Sequence, residues 1–131
     1  MKITLEEANR IIKGALAEAA ARNIKINVAV CDVGGRLVAF QRMDDAMWAG
    51  AYGSQGKAVA SASFGVPSGN LAKRADHPTF RAIREHEGNH MIFGQGAVPI
   101  LRDGTIIGAC GVGGGTGQED EDCARAGVAL L

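Results

Sequence analysis

The stretch GAVPILRDGTIIGACGVGGG, residues 96–115, decides the fold of this 131-residue chain. Two apolar runs, 97–101 and 105–112, lie on either side of the dipeptide Asp103-Gly104. Asp-Gly between two apolar runs is among the strongest short-range signals for a β-hairpin, because both residues adopt the backbone conformation that a tight turn needs. The sequence therefore predicts two antiparallel strands here, followed by a glycine-rich turn.

A second hairpin is predicted upstream, in INVAVCDVGGRLVAFQRMDD, residues 26–45. Ile26, Val28 and Val30 recur at every second position of a first run, roughly 26–32, and an apolar run returns over roughly 36–42. Gly34 and Gly35 supply the turn between the two runs. We expect the two hairpins to lie in one antiparallel sheet.

Helical patterns fill the rest of the chain. Capping boxes are predicted where Thr4 is followed three residues later by Glu7, and where Thr116 is followed by Glu119. Helices are predicted from Leu5 to the stop residue Asn23, over 49–64, briefly after the cap Ser68, over 78–87 and after Thr116. The order α-β-β-α-α-α-β-β-α defines an α+β fold, and we expect residues 1–131 to form a single domain.

Composition excludes several classes of function. Fourteen basic residues balance fourteen acidic residues, so no net positive field attracts nucleic acid. No stretch approaches the roughly 20 apolar residues of a membrane-spanning helix, so no membrane association is expected. The N-terminus lacks the apolar core of a signal peptide, and we expect a cytoplasmic protein. The three cysteines have no Cys-x-x-Cys spacing, which argues against a disulfide framework or a zinc–thiolate site.

The segment His86-Glu87-Gly88-Asn89-His90 matches the His-Glu-x-x-His pattern of zinc proteases. That site needs a helix that continues through all five residues, whereas Gly88-Asn89 predicts a helix end. A protease site is therefore not predicted. His86 and His90 are still candidate ligands for another metal or for haem iron, and His86 and Glu87 are candidates for acid–base catalysis. The alternative is that these are surface or structural side chains.

The glycine loop, made of Gly113, Gly114 and Gly115, lacks both the third glycine of a dinucleotide fingerprint and the lysine of a phosphate loop. It still leads into a helix start, where free backbone N–H groups and the positive end of the helix dipole favour a carboxylate or phosphate. The alternative is that three glycines only allow the chain to turn tightly.

Three polar residues lie in apolar surroundings: Asp32, Arg42 and Lys57. Asp32 precedes the turn of the first hairpin and is a candidate for ligand binding or for a local turn hydrogen bond. Arg42 and Lys57 are candidates for holding an anion, since arginine pairs with carboxylates bidentately and lysine acts as a point charge. For Lys57 the alternative is a surface lysine. We predict that both cations and the glycine loop converge on one cleft.

Four segments together resemble the GlcG/HbpS family: residues 26–45, the pair Lys57-Ala58, residues 96–115, and QEDEDCARAG at 118–127. The resemblance implies a profilin-like α+β fold and homo-oligomers, and it includes the C-terminal domain of PduO proteins. It further implies a pocket, haem binding or haem degradation in some members, and small organic acid catabolism in others. The chain departs from the family at Gly113, where a serine is usual.

Two main functions are compatible with these residues. The first is a small-molecule-binding domain with haem as the ligand, in which His86 or His90 ligates the iron and Arg42 or Lys57 holds the propionates. The second is an enzyme of the deaminase or hydrolase class, in which His86 or Glu87 acts on a small organic acid held by the cations and the glycine loop. A third is a structural subunit with no open pocket. The expected partners are an anionic small molecule and further copies of the chain.

Overall fold

The computed structural model describes residues 2–131. The helices are α1 (Leu5–Ala21), α2 (Ala49–Phe64), α3 (Pro78–His86) and α4 (Gly117–Val128), with a 3₁₀ helix at Ser68–Arg74. The strands are β1 (Asn27–Asp32), β2 (Leu37–Arg42), β3 (Ala97–Arg102) and β4 (Thr105–Gly113). The predicted element order and the α+β class are confirmed. No helix in the described part of the chain is long and apolar enough to cross a membrane.

The two hairpins form one antiparallel sheet with strand order β2-β1-β4-β3. The hairpins meet through β1 and β4, so that Asn27 pairs with Arg42 on one side and with Gly113 on the other. β1 is therefore a central strand, and all of its residues except Asp32 are buried. β2 is an edge strand and is mostly half-buried or exposed. This asymmetry leaves the β2 edge open to solvent beside α2.

The sheet has a different kind of core on each face. Large side chains from the strands, such as Val30 and Val112, pack against Ile12 of α1 and Cys123 of α4. On the other face α2 lies close to β4, and the buried contacts are made by small residues. A Cβ atom at Gly113 would lie 2.7 Å from the backbone oxygen of Gly50, so glycine is required for this close approach.

The predicted capping boxes at α1 and α4 are both present. At α4, the Thr116 hydroxyl accepts a hydrogen bond from the Glu119 N–H at 3.2 Å, and the Glu119 carboxylate accepts one from the Thr116 N–H at 2.9 Å. The predicted cap at Ser68 is wrong. Its hydroxyl instead accepts a hydrogen bond from the Ala97 N–H at 2.9 Å, and this buried bond ties the 3₁₀ helix to the start of β3.

Candidate functional site

A cleft of about 340 Å³ opens between the β1–β2 turn, one face of α2 and the segment that follows α3. Leu37, Val59 and Ile92 contribute apolar walls, and Tyr52 and His90 contribute polar atoms. Tyr52 is 69% exposed, so the cleft is open to solvent along this side. Its volume lies at the lower end of the range for small-molecule sites, and its mixture of apolar walls with a few polar groups is typical of them.

The β1–β2 turn is held in shape by Asp32. Its carboxylate accepts hydrogen bonds from the backbone N–H of Gly34 at 2.9 Å and of Arg36 at 3.0 Å. Gly35 has a φ of +76°, a conformation that favours glycine. The local turn bond considered for Asp32 is therefore present. Its effect is to fix the backbone of Arg36 at the rim of the cleft.

The opposite wall depends on Gly56 of α2. The backbone oxygen of Gly56 accepts a hydrogen bond from the Ile92 N–H at 3.1 Å. A Cβ atom at Gly56 would lie 2.5 Å from the Ile92 side chain and 2.8 Å from the backbone oxygen of His90. Glycine at this position therefore allows the segment that carries His90 to lie directly against α2.

An ion pair connects the two walls. Arg36 Nη1 lies 3.4 Å from Glu87 Oε1, and the two residues are 51 positions apart in the sequence. The Arg36 side chain is 73% exposed and that of Glu87 is 34% exposed. Sequence reasoning assigned no role to Arg36 or Tyr52. The available signal for Arg36 was its position directly after the Gly-Gly turn.

The two histidines of the His-Glu-x-x-His segment do not form a common site. α3 ends at His86, and Gly88 and Asn89 both have left-handed backbones, with φ of +74° and +61°. His90 consequently lines the cleft, whereas His86 lies in a separate apolar groove beside Met91. Within residues 2–131, no three His, Cys, Asp or Glu side chains are grouped so as to hold a metal ion.

Lys57 and the glycine loop do meet, but around a carboxylate that belongs to the chain itself. Lys57 Nζ lies 3.2 Å from Asp120 Oδ2, and Asp120 Oδ1 accepts a hydrogen bond from the Gly115 N–H at 2.8 Å. Lys57 and Asp120 are both buried, at 7% and 3% exposure. Burial raises the pKa of Asp120, while Lys57 and the Gly115 amide act in the opposite direction. Asp120 was not predicted, although a buried lysine requires such a partner.

The remaining parts of the predicted anion site lie elsewhere. The Gly113 backbone oxygen accepts a hydrogen bond from the Asn27 side chain at 3.3 Å, and Gly114 packs against the backbone of Lys25. Arg42 is exposed at the end of β2, where it borders a surface depression together with Asp44. The structure therefore does not bring Arg42, Lys57 and the glycine loop to one open cleft, because Lys57 is neutralised inside the fold.

The three cysteines are buried and free, at positions 31, 110 and 123. Burial raises the pKa of the Cys31 thiol to about 12 and that of Cys123 to about 11, and it also raises the pKa of Cys110. Cysteine reacts as a nucleophile and binds metals in its thiolate form, and the raised pKa values keep these three residues in the thiol form. They therefore pack as small apolar side chains.

The fold and the cleft define a class of protein: a small α+β domain with helices on both faces of a four-stranded antiparallel sheet and a half-open cleft beside one edge strand. The chain belongs to the haem-degrading HbpS-like family, whose model matches residues 3–129. The resemblance noted in the sequence is thereby confirmed.

Individual relatives agree with this assignment. The chain is 33% identical to GlcG of Escherichia coli K12 over 110 residues, which cover 84% of this chain and 80% of GlcG. A crystal structure of an HbpS double mutant from Streptomyces reticuli superimposes with a TM-score of 0.88 at 30% identity, over 100% of this chain and 88% of HbpS. The PduOC–haem complex has the same fold, with a TM-score of 0.88 at 20% identity, over 100% of this chain and 96% of PduOC.

Proposed function

We propose that this protein binds haem in the cleft between the β1–β2 turn and α2. The observation that carries the proposal is that His90 and Tyr52 line the same cleft. Histidine and tyrosine are both side chains that ligate haem iron in proteins. Membership of the haem-degrading HbpS-like family supports haem as the ligand.

The residues of the cleft fit a haem group. Leu37, Val59 and Ile92 offer apolar contacts for the porphyrin, and Arg36 at the rim offers a cation for a propionate. His90 or Tyr52 would hold the iron, and bound haem would supply the redox chemistry of that iron. His86 lies in the other groove and is the less suitable ligand of the two histidines. We therefore assign the anionic part of the ligand to Arg36 rather than to Arg42 or Lys57.

We also propose that the protein is a homo-oligomer. Leu37, Met47, Trp48 and Tyr52 are each more than half exposed, and Trp48 and Tyr52 pack edge to face with ring centroids 6.1 Å apart. Exposed Trp, Tyr and Met side chains are enriched in protein interfaces. Because Leu37 and Tyr52 also line the cleft, a second copy on this surface would cover the open side of the haem site.

Titration with hemin tests the proposal. The wild-type protein should develop a sharpened Soret band that saturates at about one hemin per chain, as expected for one site per protomer. The two histidines provide matched variants, since both are exposed and only His90 lines the cleft. His90→Ala or Tyr52→Phe, whichever removes the iron ligand, should shift the Soret band or weaken binding, and His86→Ala should leave both unchanged. Absence of saturable binding to the wild type would refute the proposed function, and a shift caused only by His86→Ala would place the haem elsewhere.

A further inference from the structure

The Arg36–Glu87 ion pair spans the cleft that we assign to haem. Arg36 lies directly before β2 on one wall, and Glu87 lies directly after α3 on the other. Among the described residues that line the cleft, Arg36 is the one permanently charged cation and Glu87 is the one carboxylate. A ligand carboxylate that enters the cleft therefore meets Arg36, which is already paired with the carboxylate of Glu87.

The two partners are held differently. The backbone of Arg36 is fixed by the Asp32 carboxylate and by the strand that follows, so the guanidinium is presented from a rigid turn. Glu87 is the C-cap residue of α3, where the helix dipole disfavours a negative charge. It is followed by Gly88 and Asn89, both with left-handed backbones. No residue of α3 is buried. Glu87 is thus carried by the more weakly anchored of the two walls.

The pair is also weak enough to be exchanged. Because its arginine is 73% exposed, the pair resembles surface ion pairs, which contribute little to stability since water screens both charges. A ligand carboxylate offers the guanidinium the same chemistry as Glu87 does, and it arrives with additional apolar contacts that Glu87 lacks.

We propose that a carboxylate of the ligand displaces Glu87 from Arg36, so that Arg36 selects for carboxylate-bearing ligands and Glu87 is their built-in competitor. This inference rests on the proposed haem site and assigns the residues that determine its specificity. Arg36 recognises the acid group, and Glu87 weakens binding of every ligand that needs Arg36. Asp32 is a positioning residue, because it holds the turn that presents the guanidinium.

Two ligands that differ only in the acid groups test the exchange: hemin and the dimethyl ester of hemin, both presented in the same detergent. Arg36→Gln should weaken binding of hemin about threefold to tenfold and leave binding of the ester nearly unchanged. Glu87→Gln should tighten hemin binding by up to about fivefold, as expected for removal of an exposed ion pair, and should not affect the ester. In the double variant the effect of Glu87→Gln on hemin should disappear.

Arg42→Gln is the matched control, since it removes the same charge from the other end of β2, outside the cleft. It should not change the ratio of the two affinities, and Arg36→Lys should retain part of the preference for hemin. Equal weakening of both ligands by Arg36→Gln, or weaker hemin binding in Glu87→Gln, would overturn the exchange while leaving haem binding intact. Failure of the wild type to bind either ligand would instead remove the proposed function and this inference with it.

Discussion

The buried pair of Lys57 and Asp120 allows the most quantitative prediction about this fold. The pair joins α2 to α4, and Lys57 Nζ also donates a hydrogen bond to the Gln95 backbone oxygen at 3.2 Å. Asp120→Ala removes the carboxylate that neutralises Lys57 and also the acceptor for the Gly115 N–H. Breaking a buried ion pair from one side costs about 3–5 kcal/mol. We therefore expect the free energy of unfolding to fall by about that amount.

Urea unfolding followed by circular dichroism measures this loss. Asp122→Ala is the matched control on the same helix, since Asp122 pairs with Arg22 at 3.0 Å and both side chains are about one-third exposed. Removal of that surface pair should cost less than about 1 kcal/mol. Replacing the buried pair as a whole, with Lys57→Met and Asp120→Leu together, should recover much of the lost stability, because no unpaired charge is left inside. If Asp120→Ala lowered the free energy of unfolding as little as Asp122→Ala does, Lys57 and Asp120 would not behave as a buried ion pair.

Three further results are expected. The Arg102 guanidinium lowers the pKa of Glu7 from 4.5 to about 2, so the stability that Glu7 contributes is present above about pH 4.5 and is lost as the pH falls toward 2. The difference in Tm between wild type and Glu7→Gln should therefore shrink over that interval, and a constant difference would contradict the pairing. Gly56→Ala should lower the free energy of unfolding by about 1–3 kcal/mol and weaken hemin binding, because the new Cβ would displace the segment that carries His90. Unchanged stability and hemin affinity would show that the segment adjusts freely. A thiol reagent should label the buried cysteines only after unfolding in urea, and rapid labelling of the folded protein would contradict their burial.

The parts of the fold that local sequence determines were predicted well. The Asp103-Gly104 turn and the capping box at Thr116 each depend on residues within three or four positions of one another, and both are present. The same holds for the end of α3, where the Gly88-Asn89 pair predicted that His90 would leave the helix. These features depend on backbone conformations that particular residue types favour, so a single sequence is enough to identify them.

The candidate site was predicted less well because its contacts are long-range. Lys57 was predicted to hold an anionic ligand, with a surface lysine as the alternative, but its partner Asp120 lies 63 positions away and nothing local links the two. Arg36 and Glu87 are 51 positions apart and meet only because the β1–β2 turn folds over α2. Pairing between distant charged residues depends on the tertiary arrangement, and neither composition nor periodicity encodes it directly.

A structure of the hemin complex would show whether haem occupies the cleft between the β1–β2 turn and α2. We expect iron bonded to His90 or Tyr52, the porphyrin against Leu37 and Val59, and a propionate at Arg36. Iron bound instead at His86 in the groove beside Met91, with the cleft empty, would show that the proposed haem site is wrong.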